Sequence, residues 1–320
     1  MTSFPFTKAS DKRGWQLIDF VGLSLLFSGL FAVGLAATIK LLPHEAQSLN
    51  ITLGELSQFY DGRLVQFIAH NRVCFSGPLV GLGLMYSWLA RNSLRAGEPW
   101  AWWALFLSGV VGIGSFFNFL GNGYFDIWHA RATLVLAIIF GIGLVLTSSV
   151  LDVRSVLKPG ARAWSWSPAS IGRAWMLIWA LGKIVGGAAI LTVGVTHIFV
   201  PQDLEYLYGH HEVLVPDHLM PFIAHDRAGF GGALLASGLV SAITIWCGLK
   251  PASRGLLMVL TVVWLVELLT AVGVHFVIHY LSFVHLLPFV LKDLAFLLGF
   301  LFLYKPIVYA DRPAERFPEL

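Results

Sequence analysis

Two similar segments of the chain carry histidines at equivalent positions, and paired imidazoles are ligands for metal ions and for haem iron. The sequence reads Phe-Ile-Ala-His-Asn-Arg at 67–72 and Phe-Ile-Ala-His-Asp-Arg at 222–227. A match of this density indicates an internal repeat, in which equivalent side chains have equivalent surroundings. The repeated set, with offsets of 155 and 156 residues, consists of His70, His129, His225 and His285.

Haem b is the first cofactor that this pattern suggests. Two neutral imidazoles on facing helices of a bundle make an axial pair for haem iron. Arg72 and Arg227 follow two of the histidines closely, where a guanidinium would pair with a haem propionate or neutralise a nearby acid. Asp126 and Asp226 can instead orient an imidazole by accepting its second N–H. Glycines downstream of these histidines leave room for a flat macrocycle or for a neighbouring helix.

A second, alternative metal site is predicted near the end of the seventh apolar segment. His275 and His279 are four residues apart and would share one face of a helix. Imidazoles in this arrangement bind iron or another transition metal. This spacing would fit a histidine-cluster membrane hydroxylase, although such enzymes need several boxes of this type.

Two charges inside apolar segments suggest a different chemistry. Glu267 lies midway along one segment and Lys292 lies on the next, and a charge at mid-membrane costs at least a few kcal/mol on insertion scales. Together they would form a proton path or a substrate contact in a transporter, or a structural ion pair.

The elements that position these side chains are membrane-spanning helices. Of the 320 residues 57% are hydrophobic and only 12% are charged, and the mean hydropathy is +0.75. A soluble surface needs about twice that charge. The lipid bilayer is therefore the first partner, and a net charge of +3 gives no reason to expect nucleic acid. The sequence has no Walker A loop, no dinucleotide glycine fingerprint and no GxSxG, so no nucleotide site is expected.

The apolar segments predict an all-α polytopic membrane protein with eight spans in two tandem parallel four-helix repeats. Basic residues cluster in alternate connections, which places both termini in the cytoplasm and the histidines near the extracytoplasmic face of the plasma (inner) membrane. Cys74 and Cys247 fall in different halves, and no disulfide is expected. The predicted spans are 15–39, 64–90, 100–120, 128–150, 172–200, 218–248, 255–277 and 283–304.

The repeat also divides the chain into domains. The first four-helix unit covers 15–151 and the second covers 172–305. A cytoplasmic linker at 152–171 joins them, and cytoplasmic tails occupy 1–14 and 306–320. The second unit holds more histidines and more buried charge, so it is the more active candidate.

Eight helices in two bundles, with histidines on helices 2, 4, 6 and 8, resemble the haem A synthases of aerobic respiration. The resemblance covers the layout rather than the catalytic motif, since Asn71 and Asp226 stand where that family has an arginine. It implies that His70 pairs with His129 and that His225 pairs with His285. It also implies a quinone or a respiratory-chain protein as partner.

The sequence thus favours haem-dependent redox work, which would make any enzyme activity that of a membrane-bound oxidoreductase. Three other functions stay open. The protein would be a small-solute or proton transporter that uses Glu267 and Lys292, a non-catalytic subunit of a larger membrane complex, or a metal-dependent hydroxylase.

Overall fold

Eight long helices account for most of the chain, as predicted. The computed structural model describes residues 13–38, 41–117, 123–124, 126–148, 166–209, 215–250 and 253–308, and no strand occurs among them. The predicted tails and most of the predicted linker lie outside these residues. All eight helices are long and apolar enough to cross a membrane. They are α1 (Gly14–Thr38), α2 (Arg63–Leu89), α3 (Pro99–Phe116), α4 (Ile127–Leu146), α5 (Pro168–Thr196), α6 (Met220–Ile243), α7 (Arg254–Leu268) and α8 (Phe283–Val308).

Local sequence signals set where several helices begin. Asp126 caps α4, because its Oδ1 accepts hydrogen bonds from the backbone N–H groups of Trp128 and His129. Ser167 caps α5 in the same way and precedes Pro168, which lacks the N–H that a first helical residue leaves unpaired. These caps lie just outside the spans, where water and side chains satisfy the free backbone groups.

Short helices follow α1 and α5 in connections that the sequence presented only as loops. They are Pro43–Leu49 and Pro201–Tyr208, and a third, Leu53–Leu56, follows the first. Glu45 accepts a hydrogen bond from the backbone of Leu42 at 2.7 Å, and Asp203 accepts one from the backbone of Val200 at 2.8 Å. The internal repeat therefore extends beyond the spanning helices, into a proline followed two residues later by an acid.

Helices α2 and α6 form the centre of the bundle and are its most buried spans. In each half the first helix packs closely on the second through glycine. A Cβ at Gly83 on α2 would lie 2.5 Å from the backbone nitrogen of Leu26 on α1, and one at Gly231 on α6 would meet the backbone of Leu191 on α5. These glycines serve helix packing, which lets two backbones approach within a membrane.

The two repeats exchange partners across the centre. Helix α3 packs against α6 of the other half, and α7 packs against α2, while α4 lies on α1 and α8 lies on α5. The halves seen in the sequence are therefore joined in one bundle. Each of the two central helices faces outer helices from both repeats.

Candidate functional site

Three buried or half-buried histidines meet where α2, α7 and α8 converge. We call His70, His275 and His285 the histidine triad; their candidate ligand nitrogens all lie within 4.8 Å of one another. The Nε2 atoms of His70 and His275 are 3.0 Å apart, and the rings of His275 and His285 have centroids 5.1 Å apart. His70 is 3% exposed and His275 is 1% exposed. Three imidazoles thus converge on one point inside the bundle.

The local backbone of α7 explains why His275 joins the triad and His279 does not. A π-helical turn at Leu269–Gly273 precedes His275, and such turns often re-aim side chains at functional sites. The helix then ends at Val277, and His279 has a φ of 58° and an exposed side chain. The predicted site of His275 with His279 on one helix face is therefore wrong, because no helix continues to His279.

A chain of hydrogen bonds orients His285. Tyr280 donates its hydroxyl proton to Asp203 Oδ1 at 2.9 Å, so its oxygen is the acceptor for His285 Nδ1 at 3.3 Å. Arg227 holds the other carboxylate oxygen of Asp203 at 2.5 Å. Burial, and after it the charge of Asp203, raise the pKa of Tyr280, which keeps the phenol protonated. His285 therefore carries its proton on Nδ1 and presents an Nε2 lone pair.

His70 is held in the same tautomer. Its Nδ1 lies 3.3 Å from Asn71 Oδ1, which can only accept, so the Nε2 lone pair points toward the triad. Phe67 stacks on the imidazole with ring centroids 5.9 Å apart. The Sγ atom of Cys74, a free buried cysteine, lies 3.4 Å from His70 Nε2. Cys247 is also free and buried, so the expectation of no disulfide is confirmed.

The other two repeated histidines face each other at a second place. The rings of His129 and His225 have centroids 6.2 Å apart and an interplanar angle of 28°. Asp126 lies 3.2 Å from His129 Nδ1 and 2.9 Å from His44 Nε2. Although burial raises the pKa of Asp126, His129 and two backbone N–H groups outweigh it and lower the pKa overall. The prediction that Asp126 orients an imidazole is confirmed.

The four repeated histidines are thus paired across the halves. His70 lies with His285 and His129 lies with His225, whereas the resemblance implied His70 with His129 and His225 with His285. The implied pairing within each half is wrong. Its physical reason is the partner exchange described above, which brings α2 beside α7 and α6 beside α3.

Both repeated arginines are engaged by carboxylates. Arg72 lies 2.7 Å from Glu45 and 3.6 Å from Asp226, and Arg227 binds Asp203. Asp226 therefore faces a guanidinium rather than the imidazole that the sequence suggested. Glu45 and Asp203 were missed as partners. Their signal is the repeated Pro-x-acid pattern at 43–45 and 201–203.

The predicted ion pair between Glu267 and Lys292 is also wrong. Glu267 Oε1 lies 2.9 Å from Lys183 Nζ and accepts a hydrogen bond from Ser237 at 2.7 Å. Lys292 binds its neighbour Asp293 at 2.5 Å, near enough to influence the other pair electrostatically. Lys183 on α5 is fully buried, and two lysines on equally apolar helices were indistinguishable as partners from sequence alone.

Two cavities adjoin these groups. The first cavity, of about 310 Å³, is lined by α1, α2, α3, α4 and α6, with His129 and His225 at one end. The second cavity, of about 270 Å³, is lined by α2, α5, α6, α7 and α8, and contains the histidine triad, Arg227 and Lys292. Ligand pockets generally begin at about 300 Å³, so both are large enough for a small ligand.

Comparison with known proteins gives no family to which this arrangement can be assigned: no family model, no curated protein and no solved structure matches the chain.

Proposed function

We propose that this protein is an integral membrane metalloprotein, in which His70, His275 and His285 bind one transition-metal ion. The observation that carries the proposal is the convergence of their candidate ligand nitrogens within 4.8 Å inside the helix bundle. Bonds of about 2.0 to 2.1 Å from nitrogen to a metal such as zinc require nitrogens roughly 3 to 4 Å apart, which small rotations of these rings supply. Three ligands leave a position open for chemistry.

Copper is the ion that this ligand set favours. Imidazole suits zinc, copper, iron and nickel, and the order of divalent affinities peaks at copper. The three ligands are neutral, so the ion keeps its whole charge within apolar surroundings. The cost of burying a charge favours the ion of lowest charge, which is Cu(I). Cys74 beside His70 adds a soft sulfur that also suits Cu(I).

The residues around the triad act as its outer support. Tyr280 and Asp203 hold the Nδ1 proton of His285, and Asn71 holds that of His70, so both rings present Nε2. Outer partners of this kind fix the tautomer and ring orientation of metal-bound histidine. A bound copper ion supplies one-electron redox chemistry, and the proposed role is therefore redox work near one face of the plasma (inner) membrane, the extracytoplasmic face in the orientation that the basic loops predict.

Haem b is less well supported than a single metal ion at the triad. Two axial nitrogens stand about 4 Å apart across an iron, by analogy with metal–imidazole bonds of about 2 Å, whereas His70 and His275 are 3.0 Å apart. Arg72 and Arg227 already bind carboxylates, so neither stands ready for a propionate. The pair that keeps a wider separation is His129 with His225, and a haem would have to bind there.

Metal analysis and an optical spectrum of the purified protein in lipid nanodiscs test the proposal. We expect about one equivalent of copper per chain, lost in His70→Ala, His275→Ala and His285→Ala. His279→Ala is the matched control, since this neighbouring histidine is exposed and lies outside the triad. One equivalent of zinc in place of copper would retain the site and overturn the redox role. A Soret band that His129→Ala removes would establish haem, and retention of metal in all three triad variants would reject the triad.

A further inference from the structure

The first cavity is a long channel rather than a round pocket. Its lining runs along α2 from Arg72 to Tyr86, which is fourteen residues or about 21 Å of helix. A similar length of α1, from Leu35 to Val21, lines the opposite wall. A volume of about 310 Å³ spread over this length describes a narrow space. Such a space fits a chain-like molecule.

Polar side chains are confined mainly to one end of this channel. His129 and His225 line it there, beside Arg72, Glu45 and Asp226. We call these five residues the polar end. Deeper in the channel the walls are largely hydrocarbon and glycine, and the Tyr86 hydroxyl at the far end is already hydrogen-bonded to Ser108 at 2.8 Å. An occupant therefore has one hydrogen-bonding head and one apolar tail.

The charges of the polar end exclude an anionic head. Glu45 and Asp226 both lie against Arg72, so two carboxylates face one guanidinium. The lining residues that the structure describes there offer a phosphate or a carboxylate no unmatched positive charge. Neutral imidazoles, in contrast, either donate to a carbonyl oxygen or accept from a hydroxyl. The head group that fits is uncharged, and it alternates between accepting and donating.

The walls of the channel also fit a flat ring with an attached chain. Helices α1 and α4 are outer helices that belong to the least buried spans, so the channel lies directly behind the lipid-facing surface. On the inner side, Gly229 of α6 leaves a gap beneath His225, and a Cβ there would come no closer than 3.8 Å to Phe75. A ring at the polar end thus has a glycine face to lie against.

We propose that the first cavity binds a membrane quinone, with its ring between His129 and His225 and its hydrocarbon chain along α1 and α4. A quinone carries neutral carbonyl oxygens that become hydroxyl groups on reduction, and its tail dissolves in lipid. This inference goes beyond the metal centre and does not depend on it, because none of the triad histidines lines this cavity. Binding itself is what the geometry supports.

Binding of isotope-labelled decylubiquinone to the full-length protein in lipid nanodiscs, measured against empty nanodiscs, tests this proposal. Gly229→Leu should place its side chain in the channel and raise the Kd by at least about tenfold, as one added methylene in a tight apolar pocket already can. Gly186→Leu is the matched control, since Gly186 lines the second cavity and its Cβ would meet only Leu234, at 3.9 Å. It should bind the quinone like the unsubstituted protein.

His225→Leu supplies an independent variant at the polar end, and we expect it to weaken binding without altering the metal content of the triad. Equal binding by the unsubstituted protein, Gly229→Leu and His225→Leu would overturn the proposal. So would a tightly held phospholipid, fatty acid or haem that copurifies, occupies the channel and is lost in Gly229→Leu. Loss of copper with quinone binding intact would reject the metal centre alone, so the two proposals fail separately.

Discussion

Removing one oxygen atom, in Tyr280→Phe, tests whether the Arg227–Asp203–Tyr280–His285 chain tunes the metal site. The substitution keeps the ring that packs against His275 and His285 but deletes the acceptor for His285 Nδ1. The imidazole then loses the contact that holds its proton on Nδ1. We expect the variant to fold and to bind copper more weakly.

The structure sets the expected size of the effect. Loss of an outer hydrogen-bond partner of a metal-bound histidine typically weakens metal binding by about 10- to 100-fold, or roughly 1.4 to 2.7 kcal/mol. The Tyr280–His285 contact of 3.3 Å is longer than an ideal hydrogen bond, so the lower part of this range applies. Asp203 keeps Arg227 and the backbone N–H of Val200, so the cost to folding should be about 1 kcal/mol.

The repeat provides a matched control for this experiment. Tyr124 is the counterpart of Tyr280, and its hydroxyl has no hydrogen-bond partner among the residues that the structure describes. Competition with a Cu(I) chelator of known affinity measures both variants in nanodiscs. Tyr280→Phe should lose about tenfold in affinity, while Tyr124→Phe stays unchanged. Equal affinities for the two variants would refute the role assigned to Tyr280.

Three further predictions concern stability, each measured by thermal unfolding in detergent. Lys183→Met or Glu267→Gln alone should cost about 3 to 5 kcal/mol, because each leaves a buried charge unpaired, and the double variant should cost less; additive losses would contradict this. Gly83→Ala should destabilise by about 1 to 3 kcal/mol by pushing α1 from α2, while Gly34→Ala, with open space around it, should be nearly neutral. Because the pKa of Asp126 is lowered in the fold, its contribution is present above the ordinary value of 3.8 and is lost as the pH falls through the lowered pKa; Asp126→Asn should lack this acid-dependent part.

Much of the fold was predictable because the bilayer constrains it strongly. A spanning helix must satisfy its own backbone and be about 20 residues long, so hydropathy alone locates it. The fourth span was predicted at 128–150 and lies at Ile127–Leu146, and the fifth was predicted at 172–200 and lies at Pro168–Thr196. The residual differences sit at helix ends, where Asp126 and Ser167 act as caps.

The candidate site was only half predictable, because a sequence repeat names equivalent residues without saying which copies touch. Two related units can pack their helices within each half or across the halves, and the apolar pattern of every helix is the same in both cases. The difference lies in which surfaces interlock, such as α3 on α6. His70 and His285 were therefore found individually while their contact was not. The exclusion of His279 depended on a positive φ in a non-glycine residue, which the sequence does not announce.

The crossed arrangement has a consequence for how the two sites relate. Successive residues on a helix are turned by about 100°, so side chains two positions apart point to nearly opposite faces. His70 accordingly lines the second cavity and Arg72 the first, while His225 lines the first and Arg227 the second. Each central helix is a wall shared by both sites. A ligand that shifts or stiffens α2 at the triad must also act on Arg72 at the polar end of the channel, because one rigid helix carries both side chains.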